Sequence, residues 1–487
     1  MTISFNGIPV GVRTPGSYVE FSNVRTINGL AVWPTAIMIL GQMLAGGSAA
    51  PYKPVQIYSP LGGQGPFGQG SMLDRMIQAS VGNNSSTPTF AMALPDNGAG
   101  VAATQTITVT EQPTVAATIP LYVAGQAVDV GCNAGDALDT VAASIAAAIE
   151  ADDDLPVTAV SVGAVVTTTC KWKGLTGNGI DIRTAYYASD VMPTGLALTI
   201  AAGVAGSGDP DIAAALAALG ATQYNFIVHP WTSGGDLAEL ATELAARRGP
   251  MQQIDGVAFS SAKGSMGTLA SLGATMNSPD ISISECTGPT TPWERAAREC
   301  AVIALNGTID PARPFQTLPL AGDMAPNQAE AFTPDEVEAL LHDGISPHAV
   351  GGGGAVELVR PITTYQTNAA GAPDASYLDV NTMLTLSYLR YSLRVRFAQK
   401  FPRMKLADDG ITVAPGQAIV TPKTLTAELI ALAGDWQAAG LVENLTEFAS
   451  LLVVQRNAND PSRVDALIPP DIVSGLRVFA AQIQFAF

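Results

Sequence analysis

PDIAAALAALGATQYNFIVHPWTSGGDLAELATELAARRGPMQQIDGVAF occupies residues 210–259, and its reading decides the fold class. Residues 224–228 and 256–259 are short apolar runs of the kind that form buried strands. Residues 211–219 and 236–247 carry helical periodicity, and the second of these separates the two strands. The same alternation continues downstream, with a helix expected over 268–276, a strand over 281–283 and a long apolar helix over 293–305. Upstream, 35–40 reads as another buried strand, and Ser71 as the N-cap of a helix starting at Met72. Strands spaced by helices predict a parallel or mixed sheet. The expected fold class is α/β (α+β mixed) and multidomain, with a mixed central sheet.

Residues 100–205 interrupt this pattern. They are rich in Thr, Val and Ala and poor in charge. Residues 104–110 alternate, with Ile107 and Val109 on one face. Residues 119–123 and 126–130 flank Gly125 as the arms of a hairpin. Asp136 is expected to cap a helix whose apolar positions Leu138, Val141, Ile145 and Ile149 step by three, four and four. The acidic run 152–154 before Pro156 ends it, and strands follow at 157–162 and 165–169. Gly206-Ser207-Gly208-Asp209-Pro210 closes the segment, which predicts a self-contained β-rich insertion domain.

Beyond residue 330, Thr333-Pro334-Asp335-Glu336 opens a helix by the cap-then-proline rule. A strand is expected over 355–364 and a helix from about 380 to 401, which Pro402 ends. The expected organisation is an N-terminal arm (1–24), an α/β domain (25–99 with 206–330), a peripheral insertion (100–205), a C-terminal domain (331–475) and a terminal strand (476–487).

The bulk composition narrows the function. The chain has 487 residues, 47 % of them hydrophobic and 14 % charged, which is far from the composition of a disordered protein. Net charge is −18, so nonspecific binding to nucleic acid or an anionic membrane is disfavoured. Neither a signal peptide nor an apolar run long enough to span a bilayer is evident, so a soluble, unexported chain is expected. The four cysteines, Cys132, Cys170, Cys286 and Cys300, form no C-x-x-C pair and read as reduced thiols of a cytoplasmic product. Spacing alone leaves open whether Cys132 and Cys170 meet.

Chemistry-bearing motifs are missing. His229, His342 and His348 lack the carboxylate and cysteine spacing of a metal site and read as surface or packing histidines. The glycine-rich stretches 62–68 and 351–354 lack the lysine and the strand–helix context of a phosphate loop. No nucleophile elbow is present. No enzyme, cofactor or metal is expected.

Two features do carry information. Phe479, Ala481, Ile483, Phe485 and Phe487 fall on one face of a strict period-two alternation that runs to the last residue. Such a strand must be covered, either within its own subunit or by addition to a neighbour's sheet. The segment around Tyr18, Val19 and Phe21 poses the same question. The second feature is a run from Met383 to Leu406 with six basic residues (Arg390, Arg394, Arg396, Lys400, Arg403 and Lys405) and no acidic one. The chain average of 24 in 487 leads one to expect roughly one. On so acidic a protein, a one-signed run points to an acidic partner surface.

Tyr365-Gln366-Thr367-Asn368, then Gly371-Ala372-Pro373-Asp374 and Tyr377-Leu378-Asp379-Val380, resemble the signature stretch of the Mu-like phage tail sheath family. Leu389-Arg390-Tyr391, Phe401-Pro402-Arg403 and Lys405 to Gly410 extend the likeness in the same order. Arg456-Asn457 with Asp460-Pro461, Pro469-Pro470-Asp471, and at the other end Pro15 to Glu20 and Lys173-Gly174 to Asn178 also fit. The resemblance is most specific over 355–480 and weakest over 100–205.

It implies a structural protein, forming a homo-oligomer of six-membered rings stacked helically around a tail tube protein. It implies baseplate and tail terminator proteins as further partners, with no nucleic acid and no membrane insertion. Terminal arms would add strands to neighbouring subunits, here through Tyr18, Val19, Phe21, Phe479, Ile483, Phe485 and Phe487. The C-terminal domain would face the tube, which makes the six basic residues tube-contact candidates. Contraction would drive the tube through the host envelope, in a virion assembled in the host bacterial cytoplasm. A phage-derived contractile bacteriocin or injection system is the close alternative, and a soluble α/β enzyme the distant one.

Overall fold

The computed structural model describes residues 30–412, 414 and 416–485. They divide into two compact units, one of residues 34–387 with 474–485 and one of residues 30–33 with 388–473.

The larger unit is built on a seven-stranded sheet. Its strands run, edge to edge, Ile345–Ser346, Ile281–Glu285, Val257–Ala262, Phe226–Val228, Ile37–Gln42, Thr89–Leu94 and Val55–Ile57. All neighbours are parallel except the last pair, where Val55–Ile57 runs antiparallel to Thr89–Leu94 at the edge. Every residue of Ile37–Gln42, Val257–Ala262 and Ile281–Glu285 is buried, as both faces of a parallel sheet must be covered.

Alternate residues serve opposite layers. Met38, Leu40, Met92, Ile227 and Ala258 join Leu216, Leu240, Leu269 and Leu340 in one core cluster. These leucines come from helices Ala213–Leu219, Gly234–Arg248, Met266–Gly273 and Pro334–His342. The other face is covered by helices Met72–Asn83 and Pro292–Ile309. Gly41 lets the first of these approach, because a Cβ there would lie 3.1 Å from Leu73 Cδ1.

Local signals set the helix starts. Ser71, Ser233, Ser265 and Thr333 each accept a hydrogen bond from the backbone N–H three residues on. Thr333 and Glu336 complete a reciprocal capping box. The expected strand over 355–364 is cut to Val356–Leu358, since Pro361 follows within three residues and cannot donate to a ladder.

The insertion is closed by a bridge between Val101 and Ser207. It holds an antiparallel sheet in the order Ala197–Ala202, Thr104–Glu111, Val165–Cys170, Val157–Val162, and a second in the order Gln126–Cys132, Ala117–Val123, Ile182–Thr184. Helix Leu138–Glu150 packs on both through Val141, Ile145 and Ile149. Asp136 is not its cap. That position is Ala137, and the Asp136 carboxylate instead accepts from the Asn133 N–H. Cys132 and Cys170 lie in different sheets, and both are free thiols. The insertion is docked on the α/β body, with Trp172 edge-on to Trp293 at 5.4 Å.

The smaller unit centres on residues 388–400 of helix Val380–Lys400 and on helix Pro422–Ala438. Leu429, Leu432, Ala433 and Trp436 fill its core, and the Trp436 indole donates to Ser392 Oγ at 2.9 Å. Tyr388 and Tyr391 hydroxyls donate to the Ala31 and Val32 carbonyls, tying the start of the described chain to this unit. A ladder of Val453–Arg456 with Val464–Leu467 completes it.

Candidate functional site

The basic run splits into two classes. Arg396 is only 5 % exposed and pairs with Glu428 and Asp435 on helix Pro422–Ala438. Lys400 Nζ lies 2.7 Å from the same Glu428. These two charges therefore hold helices together inside the unit, and the acids that answer them lie far along the chain. Lys405 donates to Gln417. Arg394 and Arg403 are exposed, and Arg390 is half-buried.

Beside this helix runs an apolar groove of about 460 Å³, whose walls include Leu393, Phe397, Phe401, Leu425, Leu429 and Val454. Val454 belongs to the two-stranded ladder, whose strands pair only with each other among the described residues. Val453 and Leu467 on that ladder are 48 % and 66 % exposed. A two-stranded ribbon with open edges and apolar exposure is the kind of template another strand joins.

The terminal segment forms no ladder of its own among the described residues. Arg477 anchors it in the larger unit through Asn381 at 2.8 Å and Asp379 at 3.3 Å. Beyond that anchor Phe479, Ile483 and Phe485 are largely exposed. Tyr18, Val19, Phe21 and Phe487 lie outside the described residues.

The larger unit holds a group of charges that no local motif announces. Helix Pro292–Ile309, expected to be a long apolar helix, carries four buried charges: Glu294, Arg295, Arg298 and Glu299. Arg295 is fully buried, paired with Asp323 and 3.9 Å from Glu285. His348 sits between Glu285 at 3.3 Å and Glu299 at 3.4 Å. Burial alone would push its imidazole down, but the bonds to the two carboxylates prevail and hold it up at about 9. Burial would likewise raise Glu285, yet His348 and Arg295 hold it down to about 2. Only the spacing of Glu294, Arg295, Arg298 and Glu299 within an apolar helix could have pointed here.

His229 is fully buried, and burial pushes it down to about 4. His342 is exposed beside Glu338. Burial raises the Cys170 and Cys286 thiols to about 12 and about 11, the reverse of an activated nucleophile. Among the described residues no cluster of metal-ligating side chains occurs, and no helix is long and apolar enough to cross a membrane.

Residues 205–364 match the phage tail sheath protein central domain, and residues 372–486 match the phage tail sheath C-terminal domain. Over 486 residues the chain is 38 % identical to the Mu-like prophage FluMu tail sheath protein of Haemophilus influenzae, with 100 % of both sequences covered. The chain belongs to the phage tail sheath family, and it is a tail component of a phage or prophage-derived particle. Among solved structures it is similar to the sheath tail protein from Desulfitobacterium hafniense, at 13 % identity and a TM-score of 0.49, covering 94 % of this chain and 100 % of that one. It is also similar to the PVC sheath of an extracellular contractile injection system in its contracted state, at 10 % identity, a TM-score of 0.47 and 98 % of each chain.

Proposed function

We propose that this chain polymerises into six-membered rings stacked as a helix around a tail tube, and that the stack shortens to drive the tube through a host envelope. Assembly takes place in the host bacterial cytoplasm, against tube, baseplate and terminator proteins. The work is mechanical, without catalysis or cofactor: rigid subunits rotate and slide while their interfaces repack.

One observation carries the reading. The apolar alternation of residues 479–485 is left largely exposed, and the chain also holds an open ladder flanked by an apolar groove. The terminal strand of one subunit adds to the 453–467 ladder of another, and its aromatic face enters that groove. The N-terminal arm around Tyr18, Val19 and Phe21 makes the corresponding link. Arg390, Arg394, Arg403 and Lys405 remain as tube contacts, whereas Arg396 and Lys400 serve the fold of the unit itself. Each exposed pair contributes only about 0.2–1 kcal/mol. Repetition around every ring makes the attachment collectively strong yet sensitive to salt.

Negative-stain microscopy of the purified chain, alone and mixed with tail tubes, tests the reading. Hollow tubes, and a coat on added tubes that is lost in high salt, are expected. A monodisperse small oligomer under every condition would contradict it and favour the α/β enzyme alternative.

A further inference from the structure

We infer that a cleft between helices Met72–Asn83 and Pro292–Ile309 receives an acidic side chain from a second copy of this chain. The inference rests on the sheath reading and names a contact that the strand links do not provide.

The cleft has a volume of about 410 Å³ and is lined on one side by Arg75 and on the other by Glu294 and Arg298. The two arginines are 6 % and 8 % exposed and share one carboxylate. Arg75 lies 2.7 Å from Glu294, while Arg298 reaches Glu294 Oε2 with both terminal nitrogens at 3.4 Å. Arg298 Nε has no acceptor among the described residues. Other carboxylates act on the pair without bonding to it: Asp74 accepts from the Gly70 N–H and Gln78, Asp154 accepts from Gln64 and Gln69, and Asp323 is paired with Arg295. Among the described residues Glu294 is thus the one carboxylate within hydrogen-bonding reach of both arginines, and Arg298 Nε is left without an acceptor in a largely desolvated place, where a second carboxylate in direct reach would be favoured.

Glycines line the rim, and the space beside Gly82 is open. Arg75, Gln78, Ala79 and Gly82 share one helix face at spacings of three, four and seven residues. Gly82 is exposed, and a Cβ there would meet nothing within 4 Å. Across the cleft a Cβ at Gly322 would lie 3.8 Å from Arg298 Nε, and Gly125 closes a third side at a hairpin turn.

The occupant follows from charge. The chain has 42 acidic residues against 24 basic ones, so every copy offers unmatched carboxylates to its neighbours. In a helical polymer each such contact repeats at every subunit.

The test uses the full chain with substitutions at Gly82, which lies outside the ion pairs. Gly82→Glu supplies a carboxylate to Arg75 and Arg298 from within the subunit. It should leave the melting temperature of the unassembled protein unchanged or higher, while raising the concentration needed for tubes by about tenfold. Gly82→Gln, of the same size without the charge, should assemble as the parent does. Arg298→Gln should weaken assembly, because Glu294 keeps Arg75 but the second cation is lost, and Arg298→Lys should recover part of it. A Gly82→Glu variant with the parental threshold would overturn the inference, and so would equal losses for Glu and Gln, which would mean simple obstruction. Free glutarate that stabilises the subunit without shifting the threshold would show a small-molecule site and would also overturn it. Failure of the parent chain to form any tube is a separate outcome that removes the sheath reading itself.

Discussion

The interior of the larger unit and the groove of the smaller one treat their side chains in opposite ways. Around helix Pro292–Ile309, charges are buried and answered within the chain, Arg295 by Asp323 and Glu285, and His348 by Glu285 and Glu299. Around the 453–467 ladder, apolar groups are exposed and, among the described residues, the strand edges are open. A network of buried ions contributes little net stability compared with a well-packed apolar core, but it penalises any arrangement that separates its members. The larger unit is thereby suited to move as one body. Among the described residues the smaller unit leaves apolar groups and strand edges uncovered, the kind of surface that another strand joins.

Breaking the ionic core should have the largest effect. Arg295→Leu leaves Asp323 buried without its cation and Glu285 with His348 alone, and should destabilise the subunit by about 3–5 kcal/mol. A large fall in melting temperature, or insoluble protein, is the expected result of thermal denaturation. A melting curve like the parent's would mean that the carboxylates accept protons without penalty and that the network is dispensable.

Acidity probes the same core more gently. The folded value for His348 is raised above its ordinary one, so its contribution is complete below about 6.5 and fades as pH rises through about 9. Glu285 is depressed, so its contribution is complete above the ordinary carboxylate range and is lost as pH falls towards about 2. Melting temperature should therefore decline between pH 7 and 10, and His348→Gln should show less of that decline at the cost of a lower starting point. An identical alkaline slope in the variant would remove His348 as its source.

The two classes of arginine sharpen the comparison within the smaller unit. Arg396→Gln leaves Glu428 to Lys400 alone and takes the cation from the partly exposed Asp435, and should cost on the order of 1–2 kcal/mol. Arg403→Gln, at an exposed position, should stay within about 0.5 kcal/mol while reducing the salt-sensitive coating of tail tubes. Equal stability losses in denaturant titrations would erase the distinction between structural and partner-facing charges.

What the sequence disclosed follows from which interactions are local. Parallel strands such as 224–228 and 256–259 announce themselves because both faces are buried and the run is continuously apolar. Caps at Ser71 and Thr333 are legible because donor and acceptor lie three residues apart. The ionic core was illegible because Arg75, Glu285, Arg295, Asp323 and His348 are scattered over some 270 positions and meet only in the fold. Arg396 looked partner-facing for the same reason: the run around it is free of acid, while Glu428 and Asp435 arrive from another helix. The apolar alternation at the end of the chain was plain, but its partner is not written in its own residues.

The partner strand is tested most directly by removal of residues 478–487, which spares the Arg477 anchor to Asn381 and Asp379. Sedimentation and negative-stain microscopy of the truncated chain should find a subunit that melts like the parent and forms no tubes. Adding back the detached segment as a peptide should leave it bound to the subunit without restoring polymers, since the peptide is no longer joined to a second subunit and cannot tether neighbours. Tubes of normal appearance from the truncated protein would contradict strand exchange. A truncated subunit that fails to fold would instead place the segment within its own chain.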